Sequence, residues 1–440
     1  MKRLIKFAAL MLLLICVAAC GGNGETEAEE TYTVIEPVDN GDTTSESEPT
    51  PALEPESEPT PATEPTPEPI STPNRVPDPS YLRLTQNHGS IRDITAMEFV
   101  QGIRVGWNLG NTLDAYADWG SNTNAETAWV SRLTTREMID AIADAGFNIL
   151  RLPVTWTTGT GNYRRVGSAP YYIIEPWFLA RVEEIANWAL DNDMYVIINA
   201  HHDAWKYRVG PESLAQDSAM ITSLWTQIAD HFRDYCDRLI FLTMNEPQGE
   251  RHNWLGTDEH REYVNVYNQL IVDTIRATDG NNETRFVMIP TLSGGTAYEH
   301  FRDFRLPSDM HPDRLIASVH SYAPTRLAFG YYDTHTEFDD TGRGDIDWLW
   351  HTIDQRFIQQ GIPVILGEFG SQNKHNEVER AEHARYFVVG GRQLGVPSIW
   401  WDNYLFESAN PYHERFGLFD RGALEFRFPL IWEAIMEAAQ

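Results

Sequence analysis

From about Leu84 onward, short apolar runs rich in β-branched residues alternate with longer stretches in which apolar residues recur every third or fourth position. Periods of two and 3.6 alternating in this way predict βα units and a parallel sheet. Strands are predicted at Ile103–Trp107, Phe147–Leu152, Tyr195–Ala200, Leu239–Met244, Arg285–Pro290, Leu315–His320, Pro363–Gly367 and Pro397–Trp401. Runs such as Tyr195-Val196-Ile197-Ile198 and Val364-Ile365-Leu366 have no polar face, as befits strands covered on both sides. Phe178, Val182, Ile185 and Ala189 form one apolar stripe on a helix predicted from about Glu175 to Asn192. Thr134 and Glu137 read as a capping box that opens another helix, and Gly146 ends it. Further helices are predicted at Ser213–Tyr235, His260–Thr278, Asp345–Gln360, Glu377–Gly395 and Ala423–Ala439, while the fifth unit lacks a long one. Eight such units predict an α/β fold, a (β/α)8 TIM barrel over residues 84–440.

The first eighty residues break this pattern. Lys2, Arg3 and Lys6 precede an apolar run from Phe7 to Val17 and then Ala18-Ala19-Cys20, the layout of an export signal over residues 1–19. The run is too short for a permanent span. Its end, Val17-Ala18-Ala19-Cys20, resembles the bacterial lipoprotein box, in which the cysteine is lipidated and becomes the new N-terminus. Residues 20–80 are dominated by Glu, Pro, Thr and Ser, as in Glu54-Pro55-Glu56-Ser57-Glu58-Pro59, with almost nothing apolar to bury. A disordered tether is expected there; at about 3.1 Å per residue it reaches well over ~100 Å when extended. The expected location is extracellular or at the cell surface, with a lipid on Cys20 holding the chain to a bacterial membrane.

A chain of 440 residues accommodates one barrel plus these segments. Its formal net charge of −30 at pH 7 repels nucleic acid and anionic membrane, which leaves a neutral or cationic ligand such as a neutral polysaccharide. Of the three cysteines, Cys16 lies in the signal and Cys20 at its end, so Cys236 has no disulfide partner in the folded region.

In a (β/α)8 barrel the chemistry sits at the C-terminal ends of the strands. There the sequence places Arg151 on strand two, His201-His202-Asp203 on three, Asn245-Glu246-Pro247 on four, His320-Ser321-Tyr322 on six, Glu368 on seven and Trp401-Asp402-Asn403 on eight. Glu246 and Glu368 can face each other across the mouth, as glycoside hydrolysis requires: one carboxylic acid protonates the leaving oxygen and a second carboxylate supports the anomeric centre. Asn245 can bind a sugar 2-hydroxyl. Arg151 gives Glu368 a cationic neighbour, whereas an acid/base residue needs a raised pKa and fewer cations around it. Strand alternation lets only one of Trp400 and Trp401 face inward; Trp401 is taken as the ring on which a sugar face can pack, with the strand offset leaving the choice between them open. His201-His202-Asp203 invites a metal reading. Adjacent residues on an extended strand point to opposite sides, however, and strand one carries no His-x-His, so neither metal nor cofactor is expected. Trp119, Trp156, Trp205 and Trp254 follow strands one to four as sugar platforms or as packing under loops, and Tyr116 and Asp118 are equally open.

The segments Gly106-Trp107-Asn108-Leu109-Gly110-Asn111-Thr112-Leu113-Asp114, Arg151-Leu152-Pro153-Val154, Asn199-Ala200-His201-His202, Met244-Asn245-Glu246-Pro247, Val319-His320-Ser321-Tyr322 and Gly367-Glu368-Phe369-Gly370 together resemble glycoside hydrolase family 5, in particular its endo-β-1,4-glucanase branch. The resemblance runs from about Ile94 to Ala439. It implies a retaining, endo-acting double displacement with Glu246 as acid/base and Glu368 as nucleophile. It further implies that Arg151, His201, Asn245, His320 and Tyr322 line subsite −1, that Asn111 and His202 reach toward subsite −2, and that Trp401 is the stacking platform. Strand three reads Asn199-Ala200 where relatives often carry a bulkier residue, which bears on subsite preference. The expected partner is β-glucan such as cellulose, bound by a monomer, with no nucleic acid. The same glutamates would serve on xyloglucan, mixed-linkage glucan, xylan or mannan. A non-catalytic surface protein that binds glycan is the alternative of another class, and two intact glutamates argue against it.

Overall fold

The computed structural model describes residues 89–116, 124–158, 163–250, 253–330, 334–410 and 413–440. Cys20, the signal and tether segments, Asp118 and Trp119 lie outside the described residues. Eight parallel strands close into a barrel in chain order: β1 (Val105–Leu109), β2 (Ile149–Leu152), β3 (Tyr195–Asn199), β4 (Leu239–Leu242), β5 (Val287–Pro290), β6 (Leu315–His320), β7 (Val364–Phe369) and β8 (Ser398–Asp402), with β8 pairing back onto β1. All eight predicted strands are present, their ends slightly displaced.

Alternation along each strand builds two apolar layers and one polar mouth. Ile149, Ile197, Ile240, Leu242, Met288, Ile316, Ile365 and Ile399 point inward and fill the barrel. Their outward neighbours, among them Val105, Trp107, Leu150, Val196, Ile198, Phe241, Val364 and Trp400, pack beneath the helices. Complete burial of such side chains contributes about 1.5–3 kcal/mol each. The helix Ala96–Gln101, opened by a capping box between Thr95 and Glu98, closes the bottom; its Phe99 stacks on Phe286 with centroids 3.9 Å apart. One step further along the strands the inward positions become polar, with Asn108 beside Arg151 in register, Asn199 on β3 and His320 on β6. Greasy filling below and polar side chains above fix the open end as the place for chemistry.

The helix Pro176–Asp191 buries the predicted stripe of Phe178, Val182, Ile185 and Ala189. Three expectations need correction. The helix Arg136–Asp144 is capped at Thr135, without a side-chain cap bond. Thr134 is instead buried, its N–H donating to Glu126 Oε1 at 3.0 Å and its carbonyl accepting from Arg181 Nη2 at 2.7 Å, so the predicted capping box does not form. The sixth-unit helix spans Asp340–Arg356, starting earlier than predicted because Asp339 accepts from Gly342 N–H at 2.9 Å; Gly342 and Gly344 hid that start. The last helix is Pro429–Ala438, and the residues before it form a two-stranded ribbon of Phe419–Asp420 and Glu425–Phe426, turned by Asp420 Oδ1 accepting from Gly422 and Ala423. The fifth unit carries only the short helix Tyr298–Phe301. Among the described residues no helix is long and apolar enough to cross a membrane.

Candidate active site

Glu246 and Glu368 meet across the mouth. An oxygen of each, together with a ring nitrogen of His320, lies within 4.8 Å of the others. Glu368 is the more tightly held. Arg151 Nη1 donates to its Oε1 at 2.8 Å and Tyr322 Oη to its Oε2 at 2.8 Å. Glu246 is held by His320, whose Nδ1 lies 2.8 Å from its Oε1, and its side chain keeps 15% of its surface exposed against 6% for Glu368. His320 also lies 3.6 Å from Glu368 Oε2, so the imidazole bridges the pair.

The backbone explains how both groups reach the pocket. A register shift between Val319 and His320 sets His320 opposite Glu368, and such a bulge re-aims a side chain at the rim of a barrel. Gly367 allows it. A Cβ there would stand 2.9 Å from His320 Nε2 and 3.5 Å from Arg151 Nε, so only glycine admits the two side chains this close.

Arg151 is fully buried and organises the floor. Besides Glu368, its Nη1 donates to Asn108 Oδ1 at 2.8 Å and its Nη2 donates to Asn245 Oδ1. Asn108 is fixed in turn by donating to the Gly367 and Trp400 carbonyls at 3.0 and 3.1 Å. Asn245 and Glu246 are therefore both steered, the first by Arg151 and the second by His320.

Aromatic groups form the wall. Trp401 is inward, clustered with Phe329, Phe416 and Tyr322, and lies parallel to the His201 ring at 3° with centroids 5.8 Å apart. Trp400 is outward in the shell, edge-on to Phe369 at 5.3 Å. One of the two adjacent rings therefore faces inward, as alternation requires, and it is Trp401. Alternation fails for the histidines. Their rings touch edge to face at 4.4 Å, because β3 ends at Asn199 and the chain has left the strand by His201. Asp114, His201 and His202 present ligand atoms within 4.8 Å of one another, so the claim that the two histidines point to opposite sides is wrong. Asp114 accepts backbone N–H groups from Asn111 at 3.0 Å and Thr112 at 2.7 Å, which ties it to the β1 loop. His202 Nδ1 is bonded to Tyr207 Oη at 2.7 Å, and His201 Nδ1 to Asn199 Nδ2 at 3.1 Å.

Electrostatics depart from the expectation in one respect. Burial raises the Glu246 carboxyl, but its hydrogen bond to His320 and the charges of His320, Lys206 and Arg151 bring it below the ordinary range. Glu246 thus sits among more cations than an acid/base residue was expected to, because Lys206 is buried nearby. Burial, helped by neighbouring positive charge, holds His201 and His202 well below their ordinary value, so both are neutral at pH 7. Burial first and the charges of Glu368 and Glu246 next push Glu414, in the loop after β8, up to about 8. Burial, then the same two carboxylates, hold the Tyr322 hydroxyl well above its ordinary value, so it donates.

Asn111, on a left-handed backbone at φ 57°, donates through Nδ2 to the Asn403 carbonyl at 3.2 Å and stands at the β1 rim. Asp402 Oδ2 accepts from Trp107 Nε1 and from the Leu418 and Phe419 N–H groups, which anchors the β8 loop. Asp203 Oδ1 accepts from the Trp156 and Thr157 N–H groups. Trp156 and Trp205 are buried packing, and Trp254 is half-buried with its carbonyl accepting from Ser293 Oγ at 2.7 Å. Sequence reasoning missed Asn108, Asn199, Lys206, Glu414 and Trp129. Asn108 had a signal, a polar residue at an inward position near the end of a predicted strand; the loop residues had none.

The family profile described as cellulase (glycosyl hydrolase family 5) matches residues 113–406. Endoglucanase B of Clostridium cellulovorans is 40% identical over 355 residues, covering 79% of this chain and 77% of that protein. Among solved structures, a GH5-4 broad specificity endoglucanase from Ruminococcus champanellensis with bound cellotriose matches at TM-score 0.74 and 37% identity, over 79% of this chain and 100% of that one. A GH5 family lichenase from Caldicellulosiruptor matches at TM-score 0.72 and 34% identity, over 81% of this chain and 99% of that one. With these likenesses spread over the whole barrel, the chain belongs to glycosyl hydrolase family 5, in its endoglucanase branch, and is a glycoside hydrolase.

Proposed function

We propose that this glycoside hydrolase cuts β-1,4-glucan within the chain by double displacement with retention, Glu368 acting as nucleophile and Glu246 as acid/base. The observation that carries this reading is the spacing of the pair. One oxygen of each carboxyl group lies within 4.8 Å of the other, a close approach that fits the ~5–5.5 Å carboxyl separation of retaining enzymes better than the ~6.5–9.5 Å that leaves room for water in inverting ones.

In the first step an oxygen of Glu368 attacks the anomeric carbon while Glu246 gives its proton to the glycosidic oxygen. The C–O bond breaks, its electron pair leaving with the departing sugar hydroxyl, and a glycosyl ester forms on Glu368. In the second step Glu246, now a carboxylate, takes a proton from water. The water oxygen attacks the anomeric carbon, and Glu368 leaves as a carboxylate. Arg151 and Tyr322 hold the two oxygens of Glu368 in line for attack. In the free protein Glu246 is held low by His320. A sugar that expels water from around Glu246 favours its neutral form, which keeps the proton for the glycosidic oxygen.

NMR of the products from cello-oligosaccharides tests bond choice and stereochemistry together. The β anomer should appear first; initial release of the α anomer would overturn the mechanism. Glu246→Gln and Glu368→Gln should each abolish most turnover while glycan binding survives. The broad specificity endoglucanase and the lichenase among the similar structures support a substrate range that includes mixed-linkage β-glucan. Reducing-sugar release on purified polymers checks this, and hydrolysis of mannan with β-glucans untouched would refute the substrate class. The Ala18-Ala19-Cys20 junction supports a surface enzyme tethered through a lipid on Cys20. Cys20→Ala should move it from the membrane to the soluble fraction, and continued membrane retention would count against the anchor.

A further inference from the structure

A succession of rings leads outward from the carboxyl pair along the β1–β3 side of the mouth. Trp401 lies parallel to His201, and His201 meets His202 edge-on at 4.4 Å. Beyond His202 stand two rings from the chain after β1, Trp129 at 5.7 Å and Tyr116 at 6.2 Å. Trp129 and Tyr116 contact each other edge to face, with centroids 4.8 Å apart at 70°. Both stay open to solvent all the same, Trp129 being 40% and Tyr116 46% exposed.

The Trp129 loop is well braced. Glu126 pairs with Arg181 at 2.8 Å and accepts from the Thr134 N–H at 3.0 Å, and Arg181 also donates to the Thr134 carbonyl at 2.7 Å. The segment carrying Trp129 is therefore fastened at both ends to the helix Pro176–Asp191, yet the indole is left in water. A large ring held in water at a fixed position gives up the burial that would stabilise it in the core, and rings of this kind beside a cleft offer low-entropy contact area for a ligand. The ring it adjoins is uncharged, because burial keeps His202 neutral at pH 7. A neutral pyranose ring, with C–H groups on its faces, has the chemistry to pack on such a surface.

We infer that Trp129, braced by Tyr116, is a stacking platform for a glucosyl unit lying beyond subsite −2, so that the enzyme reads at least three backbone units on the glycone side of the cleaved bond. This rests on the proposed roles of Glu246 and Glu368 and on His202 marking the glycone side.

The test compares wild type with Trp129→Ala and Trp129→Phe on an aryl β-cellobioside, which ends before the platform, and on cellotriose through cellohexaose. Trp129→Ala should lose about tenfold in kcat/KM on the longest chains and leave the aryl cellobioside unchanged. It should also shift cellotetraose cleavage from trisaccharide plus glucose toward two cellobioses, and Trp129→Phe should recover most of the loss. Equal losses on the short and the long substrate would reveal a structural role and overturn the inference, as would unchanged rates and product ratios on all of them. A wild type that hydrolyses no β-glucan would sink the glucanase reading instead. Calorimetric binding of cellohexaose to wild type and Trp129→Ala would then still decide the platform, equal affinities overturning it and a tenfold loss upholding it.

Discussion

Replacing Arg151 by Lys keeps a positive charge and removes the guanidinium fork. The buried guanidinium donates from Nη1 to Glu368 Oε1 and Asn108 Oδ1, both at 2.8 Å, and from Nη2 to Asn245 Oδ1. An ammonium that holds Glu368 in that space reaches neither asparagine, since it lacks the planar fork. Hydrogen bonds to a charged group contribute ~1.5–3 kcal/mol each, and a water entering the space recovers part of that, so losing two should cost about 2–4 kcal/mol of stability. The same loss at the transition state, where Glu368 must stay aligned, slows glycosylation by about 30- to 1,000-fold. A dinitrophenyl β-cellobioside isolates that step, because its leaving group needs no proton from Glu246. Its pre-steady-state burst reads glycosylation directly, and urea unfolding at the same pH reads stability. A burst rate within about threefold of wild type, alongside the expected stability loss, would refute the alignment argument and leave Arg151 a structural residue. No change in either would mean that the network carries no energy.

The two adjacent tryptophans should separate by assay. Trp400→Ala empties a fully buried site and should cost about 3–5 kcal/mol in urea unfolding, whereas Trp401→Ala should raise KM on cello-oligosaccharides with a much smaller loss of stability. Gly367→Ala places a methyl 2.9 Å from His320 Nε2, displacing the imidazole that joins the two glutamates; a fall in kcat of about tenfold or more with a shifted pH profile is expected. Glu414 tests linkage. Its folded-state value of about 8 lies above the ordinary 4.5, so the folded protein holds the proton more tightly and stability declines as pH rises from the lower value to the higher. Glu414→Gln removes that decline and should make the protein more stable than wild type at pH 8 and above, on the order of 1–2 kcal/mol after allowing for its partial exposure, with the gap narrowing toward acid. A melting-temperature difference independent of pH would contradict the assignment.

The barrel was legible because each strand has to be apolar on both faces for its outer ring of helices to form, and that leaves short, unmistakable runs such as Val196-Ile197-Ile198 and Val364-Ile365-Leu366. Helix ends were harder. Thr134 carries the right residue for a cap, but its N–H is claimed by Glu126, a loop residue whose position nothing local specifies. In the site, the strand-end residues were found because topology forces them together: Arg151, Asn245, Glu246, His320, Tyr322, Glu368 and Trp401 all meet around one mouth. Residues past the strands escaped. His201 and His202 were placed by an alternation rule that stops applying once the strand ends, and Lys206, Glu414 and Trp129 belong to loops whose course depends on long-range contacts.

The proposed roles of the two glutamates rest on the groups that surround each. Glu368 receives hydrogen bonds on both oxygens from groups that cannot readily give up their protons, a guanidinium and a phenol whose ionisation burial opposes. Glu246 has a different kind of partner, the His320 imidazole, whose Nδ1 lies 2.8 Å from its Oε1. Against the burial that raises it, the His320 hydrogen bond and the charges of His320, Lys206 and Arg151 hold Glu246 low, and the proposed mechanism requires sugar in the cleft to shift that balance toward the neutral carboxyl by expelling water. The difference between the two otherwise identical side chains lies in their partners more than in their depth: Glu368 is held on both oxygens by Arg151 and Tyr322, and Glu246 on one by His320, which supports the proposed division into nucleophile and acid/base.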